Sequence, residues 1–307
     1  MPRPGISVVV PFAGDAEDAK RLARSLAALE LSEGDELIVA DNSAEGCFRE
    51  ALGVRVVRAT KERSSYFARN AGAAAVRRES VRERPQSSSM HDSSSARADE
   101  GRWLLFTDSD CVPQPNLLDA YLELPPEAGV GALAGTVVSD PSQRHFLARY
   151  ATDRGFLDQE GGLHTAEDAA ATANLAVRVE AFDEIGGFAE GIRSGGDVDL
   201  CRRLVGAGWR IERRPDAVVT HLHRESLPDL MGSIARYAAG ARWLNDRYPG
   251  SAPAWPLVTG LVHCGKDIAG NVAGRHFEEA AFRGVDALGM FAHAIGYRRS
   301  NEAKIRA

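Results

Sequence analysis

Short runs of β-branched and other apolar residues alternate along the first half of the chain with stretches in which apolar positions recur every three or four residues. Residues 6–12, ISVVVPF, read as a strand ending near a proline, and the segment after it carries Leu22, Leu26 and Leu29 at helical spacing. ELIVADNS supplies a second strand, VRVVRA at 54–59 a third, an Ala-rich helix follows over 68–78, and WLLFTDSD at 103–110 reads as a fourth strand. Strands that are apolar throughout and separated by helices predict a parallel sheet covered on both faces. PNLLDAYLEL and GVGALAGTVVS continue the rhythm with a helix and a strand.

From about residue 142 the pattern turns more polar and irregular. ATANLAVRV reads as a strand, EAFDEIGGF as a short helix stopped by Gly186 and Gly187, DVDLCRRLVGAG as a helix ended by glycine, and WRIERR and AVVTHLH as two short strands. Leu230, Ile234, Tyr237, Ala241 and Leu244 mark an amphipathic helix, and 255–298 is helical in character, rich in Gly and dotted with Arg and His. The expected organisation is an α/β domain over 1–225 and a C-terminal helical region over 226–307. The stretch 80–101, with six serines between 87 and 95, is expected to be a mobile insertion.

Composition narrows the class. With 307 residues, 44% hydrophobic and 26% charged, the chain is an ordinary folded protein, which excludes collagen-like, disordered and coiled-coil readings. A net charge of −6 gives no global field for nucleic acid or an anionic membrane. The four cysteines, Cys47, Cys111, Cys201 and Cys264, have no metal-knuckle spacing and are expected to be reduced and structural. The apolar run before Pro11 is too short for a signal peptide, and no stretch reaches the roughly 18 apolar residues of a transmembrane helix. A cytoplasmic protein is expected, with peripheral contact at the inner membrane face left open.

The candidate chemistry begins with Asp108-Ser109-Asp110, at the end of an apolar strand. Residues two apart in an extended segment point the same way, and strand carboxyl ends are where ligands bind in open α/β sheets. Two such carboxylates suit Mg²⁺ or Mn²⁺ shared with a diphosphate; the bland alternative is a polar turn. Asp41 and Asn42 end the second strand, and Arg69-Asn70 opens the following helix, where Arg69 or Lys61 could meet phosphate. Asp197 stands at a glycine-flanked helix start, suited to a general base or simply to a helix cap. His221 and His223 share a strand face, and His221 could complete a metal site with Asp110. His263, His276 and His293 are expected to be packing or surface residues.

Taken in order, SVVVPF, IVADNS, ARNAG, LLFTDSDC, IGGF, GGDVDLCRRLVGAGW and VVTHLH resemble glycosyltransferase family 2, over residues 5 to about 245. The resemblance implies a GT-A type, Rossmann-like mixed α/β sheet with helices on both faces plus a C-terminal helical segment. It also implies metal-dependent inverting transfer of a sugar from a nucleoside diphosphate, UDP first among donors, to an acceptor hydroxyl on a sugar, a lipid-linked molecule, a small molecule or a peptide. By the same resemblance Pro11, Phe12, Asp41, Asn42, Arg69, Asn70 and Asp108 hold the donor, Asp110 and His221 hold Mn²⁺ or Mg²⁺, and Asp197 is the base. Gly196 departs from the family, which usually has Glu there, and Asp199 remains a second candidate for the base.

Two rival readings stay open. A sugar-phosphate nucleotidyltransferase would want a Gly-rich, basic loop after the first strand, and here the loop is the acidic GDAEDAK. A non-catalytic sugar-nucleotide or glycan-binding module would fit the Gly196 departure. Trp243, Trp255, Phe277, Phe282 and Phe291, beside several arginines, read as core, as a homo-oligomer contact, or as a membrane-facing stripe.

Overall fold

The computed structural model describes residues 3–49, 53–82, 102–156 and 169–306. In chain order the elements are β1 (Ile6–Phe12), α1 (Ala16–Ala27), β2 (Glu36–Asp41), β3 (Val54–Arg58), α2 (Ser65–Arg82), β4 (Trp103–Thr107), β5 (Cys111–Pro113), α3 (Leu117–Leu122) and β6 (Val130–Ser139). There follow α4 (Phe146–Asp153), β7 (Asn174–Arg178), α5 (Val179–Glu184), α6 (Gly196–Gly206), β8 (Arg210–His221), α7 (Leu227–Arg247), α8 (Leu257–Ala273) and α9 (Phe277–Gly296). The expectation of a mobile serine-rich insertion falls almost entirely on 83–101, outside the described residues.

The strands form one sheet in the order β3-β2-β1-β4-β7-β6-β8-β5. Its first four members are parallel, as the unbroken apolar runs predict, whereas β7 lies antiparallel to both β4 and β6, and β5 antiparallel to β8. The sheet is therefore mixed. Because the chain leaves β1 toward β2 and returns on its other side at β4, a crevice opens where the order reverses, at the carboxyl ends of these strands.

Burial follows the strand period. Val8, Val10 and Phe12 face Leu22 and Leu26 of α1 and Leu117 and Leu118 of α3, while Val9, Leu104 and Phe106 face Ala73 and Val76 of α2, Phe182 of α5 and Leu200 and Leu204 of α6. The small residues of α2 let it lie close to the sheet: a Cβ on Gly72 would meet the Val9 side chain at 2.5 Å.

Two elements differ from the sequence pattern. WRIERR and AVVTHLH are one strand, β8, because its pairing with β6 skips from Gly135↔Arg214 to Thr136↔Val218 and accommodates Pro215 in a bulge. Asn174 braces this place, with Nδ2 donating to Ala217 O (2.7 Å) and Thr136 O (2.9 Å) and Oδ1 accepting from the Tyr121 hydroxyl (2.7 Å). The stretch read as irregular holds α4, whose N-cap is His145 accepting from Ala148 N at 3.2 Å, a cap outside the usual Ser, Thr, Asp and Asn set.

A satellite cluster of Leu147, Tyr150, Leu230, Ile234, Phe282 and Val285 joins α4 to α7 and α9. Arg154 bridges Asp286 and Glu279 at 3.0 Å each beside it. The aromatic stripe divides: Phe282 is core, Trp243 is half-buried, and Trp255, Phe277 and Phe291 are exposed. His293 is a buried packing residue stacked on Trp255 at 4.1 Å, and the four cysteines are free thiols. Among the described residues no helix is long and apolar enough to cross a membrane.

The start of β1 is held by a buried carboxylate. Asp35 accepts from Arg3 (2.8 and 2.7 Å), Ile6 N (2.9 Å) and Ser32 N (2.8 Å), and although burial opposes it, these donors hold its carboxyl below the ordinary carboxylate range. A carboxyl depressed in the folded state contributes stability above its unfolded pKa and loses it as the pH falls through the folded value. Asp35→Asn is expected to cost about 2 kcal/mol at neutral pH. In urea denaturation series the gap between the two proteins is expected to close as the pH falls below about 4.

Candidate active site

The crevice at the carboxyl ends of β1 and β4 gathers most of the polar residues singled out by the sequence. At the end of β4, Asp108 is ion-paired with Arg69, and Arg69 is itself buried between the rings of Tyr66 (5.5 Å) and Phe188 (5.8 Å). Burial raises the Asp108 carboxyl above its ordinary value; Arg69 pulls against the rise, and Asp110 and Asp197 add to it. Three carboxylates thus share one field.

Asp110 is positioned by strand pairing. Cys111 of β5 lies opposite His221 of β8, and Leu222 N donates to Asp110 O at 2.9 Å, so the register itself sets residue 110 against residue 221. His221 Nε2 stands 3.6 Å from Asp110 Oδ2, too far for a hydrogen bond, and Arg224 lies 3.2 Å from the same oxygen. Burial works against ionisation here, yet His221 and Arg224 hold the Asp110 carboxyl down at about 2. Cys111 is no rival ligand, since burial and the two neighbouring aspartates push its thiol well up.

This donor set fits a divalent cation. A carboxylate and an imidazole converge without bonding each other, and His221 Nδ1 is buried with no hydrogen-bond partner among the described residues. No group of three or more His, Cys, Asp or Glu among the described residues could hold an ion by protein ligands alone. Mg²⁺ and Mn²⁺ need no such cage, since they complete their shell with phosphate oxygens and water. His223 belongs elsewhere: its Nε2 bonds Ser139 Oγ at 2.8 Å, and burial and His221 drive its pKa down to about 4.

The two aspartates of the GGDVD segment part company. Gly195, with φ +85°, turns the chain into α6, and Asp197 sits in its first turn, where among the described residues the only hydrogen bond to its carboxylate is from Val198 N (3.1 Å). Asp199 is fully buried, with Arg203 (2.8 Å), Arg247 (2.7 Å) and the Tyr248 hydroxyl (2.8 Å) closed around its two oxygens. Gly196 has a steric explanation: a Cβ there would meet the Tyr66 ring at 2.8 Å. Burial, with Asp197 beside it, raises the Tyr66 hydroxyl far above its ordinary value.

The strand-end residues toward β2 are arranged differently from the expectation. The Phe12 side chain faces the core against Phe48 (5.5 Å), and Pro11 is buried inside β1. Asp41 is fully buried and accepts from Arg58 (2.6 Å), Ser43 N (2.8 Å) and Phe48 N (3.3 Å). Asn42 donates to Ala59 O and to Glu62 O (2.7 Å), bracing the turn into α2, and Asn70 clasps Phe188 through its backbone N and O. Of these residues Asn42 lines an open cleft of about 1140 Å³, together with Ala13, Asp15, Ser43, Arg63 and Arg306 among others. Tyr66 and Arg224 escaped the sequence reading, although each stands three residues from a residue that was found, Arg69 and His221 respectively.

The mixed sheet with a polar crevice at its strand carboxyl ends is an α/β arrangement of the GT-A type. The chain belongs to the family described as glycosyltransferase like family 2, whose model matches residues 2–243. It is 27% identical over 293 residues to the pre-mycofactocin glycosyltransferase of Mycobacterium tuberculosis, covering 90% of this chain and 57% of that one. To glycosyltransferase AglE of Haloferax volcanii it is 24% identical over 256 residues, 80% of this chain and 76% of that one. The chain therefore spans little more than half the length of its mycobacterial relative. A mannosyltransferase from Pyrobaculum calidifontis, solved with GDP-Man and Mn²⁺, shares the fold at a TM-score of 0.53 and 16% identity, over 96% of this chain and 74% of that one.

Gly196→Ala is expected to displace the Tyr66 ring and lower stability by about 1–3 kcal/mol, measured by thermal denaturation.

Proposed function

We propose that this glycosyltransferase moves a sugar from a nucleoside diphosphate to an acceptor hydroxyl with inversion, and that a divalent cation is held on Asp110 and His221. The reading rests on one observation above the rest: of the two aspartates in GGDVD, Asp199 is closed off by two arginines and a tyrosine, whereas Asp197 keeps its carboxylate available beside Asp108. The GDP-Man and Mn²⁺ bound to the Pyrobaculum mannosyltransferase support a nucleotide-sugar donor and a divalent cation.

In this mechanism Asp197 accepts the proton of the acceptor hydroxyl as its oxygen bonds the anomeric carbon. The bond from that carbon to the diphosphate oxygen breaks on the opposite side, in line, so configuration inverts. A divalent cation held by Asp110 and His221 would supply charge neutralisation for the departing diphosphate. Arg224 adds a guanidinium at the same place, and Arg69 keeps Asp108 paired so that it does not compete as a second free anion. The mechanism makes no demand on Asp41 or Asn70, whose side chains brace the walls.

Substitutions separate these roles. Asp197→Asn is expected to lower kcat about 10²–10⁴-fold with an unchanged melting temperature. Asp199→Asn is expected instead to lower stability by about 3 kcal/mol or more, because two guanidiniums lose their counter-charge. Equal loss of turnover in both variants without loss of stability in either would contradict the assignment. Asp110→Asn is expected to abolish the Mn²⁺-dependence of nucleotide binding in calorimetry. NMR of the product is expected to show the anomeric configuration opposite to that of the donor.

A further inference from the structure

The hairpin of α8 and α9 leaves one face bare. Its helices run antiparallel, so that a Cβ on Gly260 would run into Met290 and Arg283 reaches Asp267 at 3.4 Å. On another side α9 packs against α7 through Phe282, Val285, Gly289 and Gly296. A helix turns about 100° per residue, so the remaining side of α9 is the one carried by Phe277, Ala281, Gly284, Leu288, Phe291 and Ile295, at alternating steps of four and three. None of the six is buried, and the four large ones are 46–64% exposed. Val258, Val262, Gly265, Ala269 and Val272 repeat the same steps along α8, and all five are exposed. Counted round each helix from the faces the two turn to each other, both stripes come out on the side of the hairpin away from α7. No charge stands on either stripe. A helix that is apolar all round is ordinarily covered all round, and α9 is not. The seven large side chains leave roughly 600 Å² of apolar surface bare, the upper end of the largest patch on a typical monomer.

We propose that this face seats the protein on an anionic lipid bilayer. The charges around it decide the occupant. Every acid of the hairpin is taken up by an arginine: Asp267 by Arg283, Glu278 by Arg149 (2.7 Å), and Glu279 and Asp286 by Arg154 (3.0 Å each). The charges at its margins that have no ion pair among the described residues are all basic and exposed: Lys266 on the flank of α8, Arg275 in the turn, and Arg298 and Arg299 just beyond α9. An apolar face rimmed by cations matches acyl chains beneath anionic headgroups. A second copy of the chain on the same face, related by a two-fold axis, would set these cations against one another, with no free carboxylate in the hairpin to meet them. Trp255, stacked on His293 at 4.1 Å yet partly exposed, adds an indole of the kind that sits at headgroup level. The whole-chain charge of −6 does not oppose this contact, because screening confines each charge to about 8–10 Å. The contact lies in the plane of the interface, since among the described residues no helix is long and apolar enough to cross a membrane.

The test is flotation of the full chain with vesicles of phosphatidylcholine alone and of phosphatidylcholine mixed with phosphatidylglycerol, at low and high salt. It compares wild type with two double variants, Phe277→Ser with Phe291→Ser and Lys266→Gln with Arg275→Gln, the oligomeric state of each being read by light scattering. Wild type is expected to bind the anionic vesicles at least about tenfold more tightly than the neutral ones and to lose most of that margin in high salt. Each double variant is expected to bind the anionic vesicles about tenfold more weakly or worse at an unchanged melting temperature, because all four positions are exposed. Anionic vesicles left unbound by wild type, equal affinity for neutral and anionic vesicles, or wild-type affinity in either variant would overturn the proposal. A wild-type dimer that Phe277→Ser with Phe291→Ser converts to a monomer would overturn it too, and give the face to a second copy. Each of these outcomes leaves the donor-site reading as it stands.

Discussion

Two carboxylates separated by a single residue at a strand end repel each other, and burial makes the repulsion worse. The protein meets this constraint with Arg69, a guanidinium clamped between Tyr66 and Phe188 and paired with Asp108. Once Asp108 is neutralised, Asp110 is free to be held ionised by His221 and Arg224. Around this one pair the other features fall into place. The small residues of α2 bring Arg69 down onto the sheet, the left-handed Gly195 turns α6 so that Asp197 faces the same crevice, and Gly196 leaves room for the Tyr66 ring.

Strand pairing does for Asp110 what the ion pair does for Asp108. β5 is only three residues long, yet its pairing with β8 sets a carboxylate and an imidazole from residues over a hundred positions apart at a separation that neither hydrogen-bonds nor wastes them. The pairing depends in turn on the bulge at Pro215, which shifts β8 in register against β6, and on Asn174, which satisfies the carbonyls exposed there. The proposed cation site is thus built largely from backbone geometry, with side chains added at its tip.

Much of this was legible in the chain itself. The apolar runs marked the strands, and the polar residues at their ends marked the crevice, because strand carboxyl ends and ligand sites coincide in such sheets. What local pattern could not convey was the partner of each polar group. Asp41 and Asp197 look alike in sequence, but Arg58 and two backbone N–H groups close one of them. Asp199 is distinguished from Asp197 by Arg247 and Tyr248, nearly fifty residues away. Proline in the middle of β8 resembled a break because a bulge and a turn share the same residues. α4 went unread because histidine is a rare cap.

The arrangement around Asp199 has a mechanical consequence. Arg247 and Tyr248, at the end of the 21-residue α7, grip the same helix whose first turn carries Asp197. A rigid helix of that length is a lever, and its far end, near Leu230, is packed against α4 and α9. Any tilt imposed on the helical region is therefore transmitted through a carboxylate clamp to the first turn of α6. The helical region is thus joined to the helix that carries the proposed base, and trimming it would strip Asp199 of Arg247 and Tyr248.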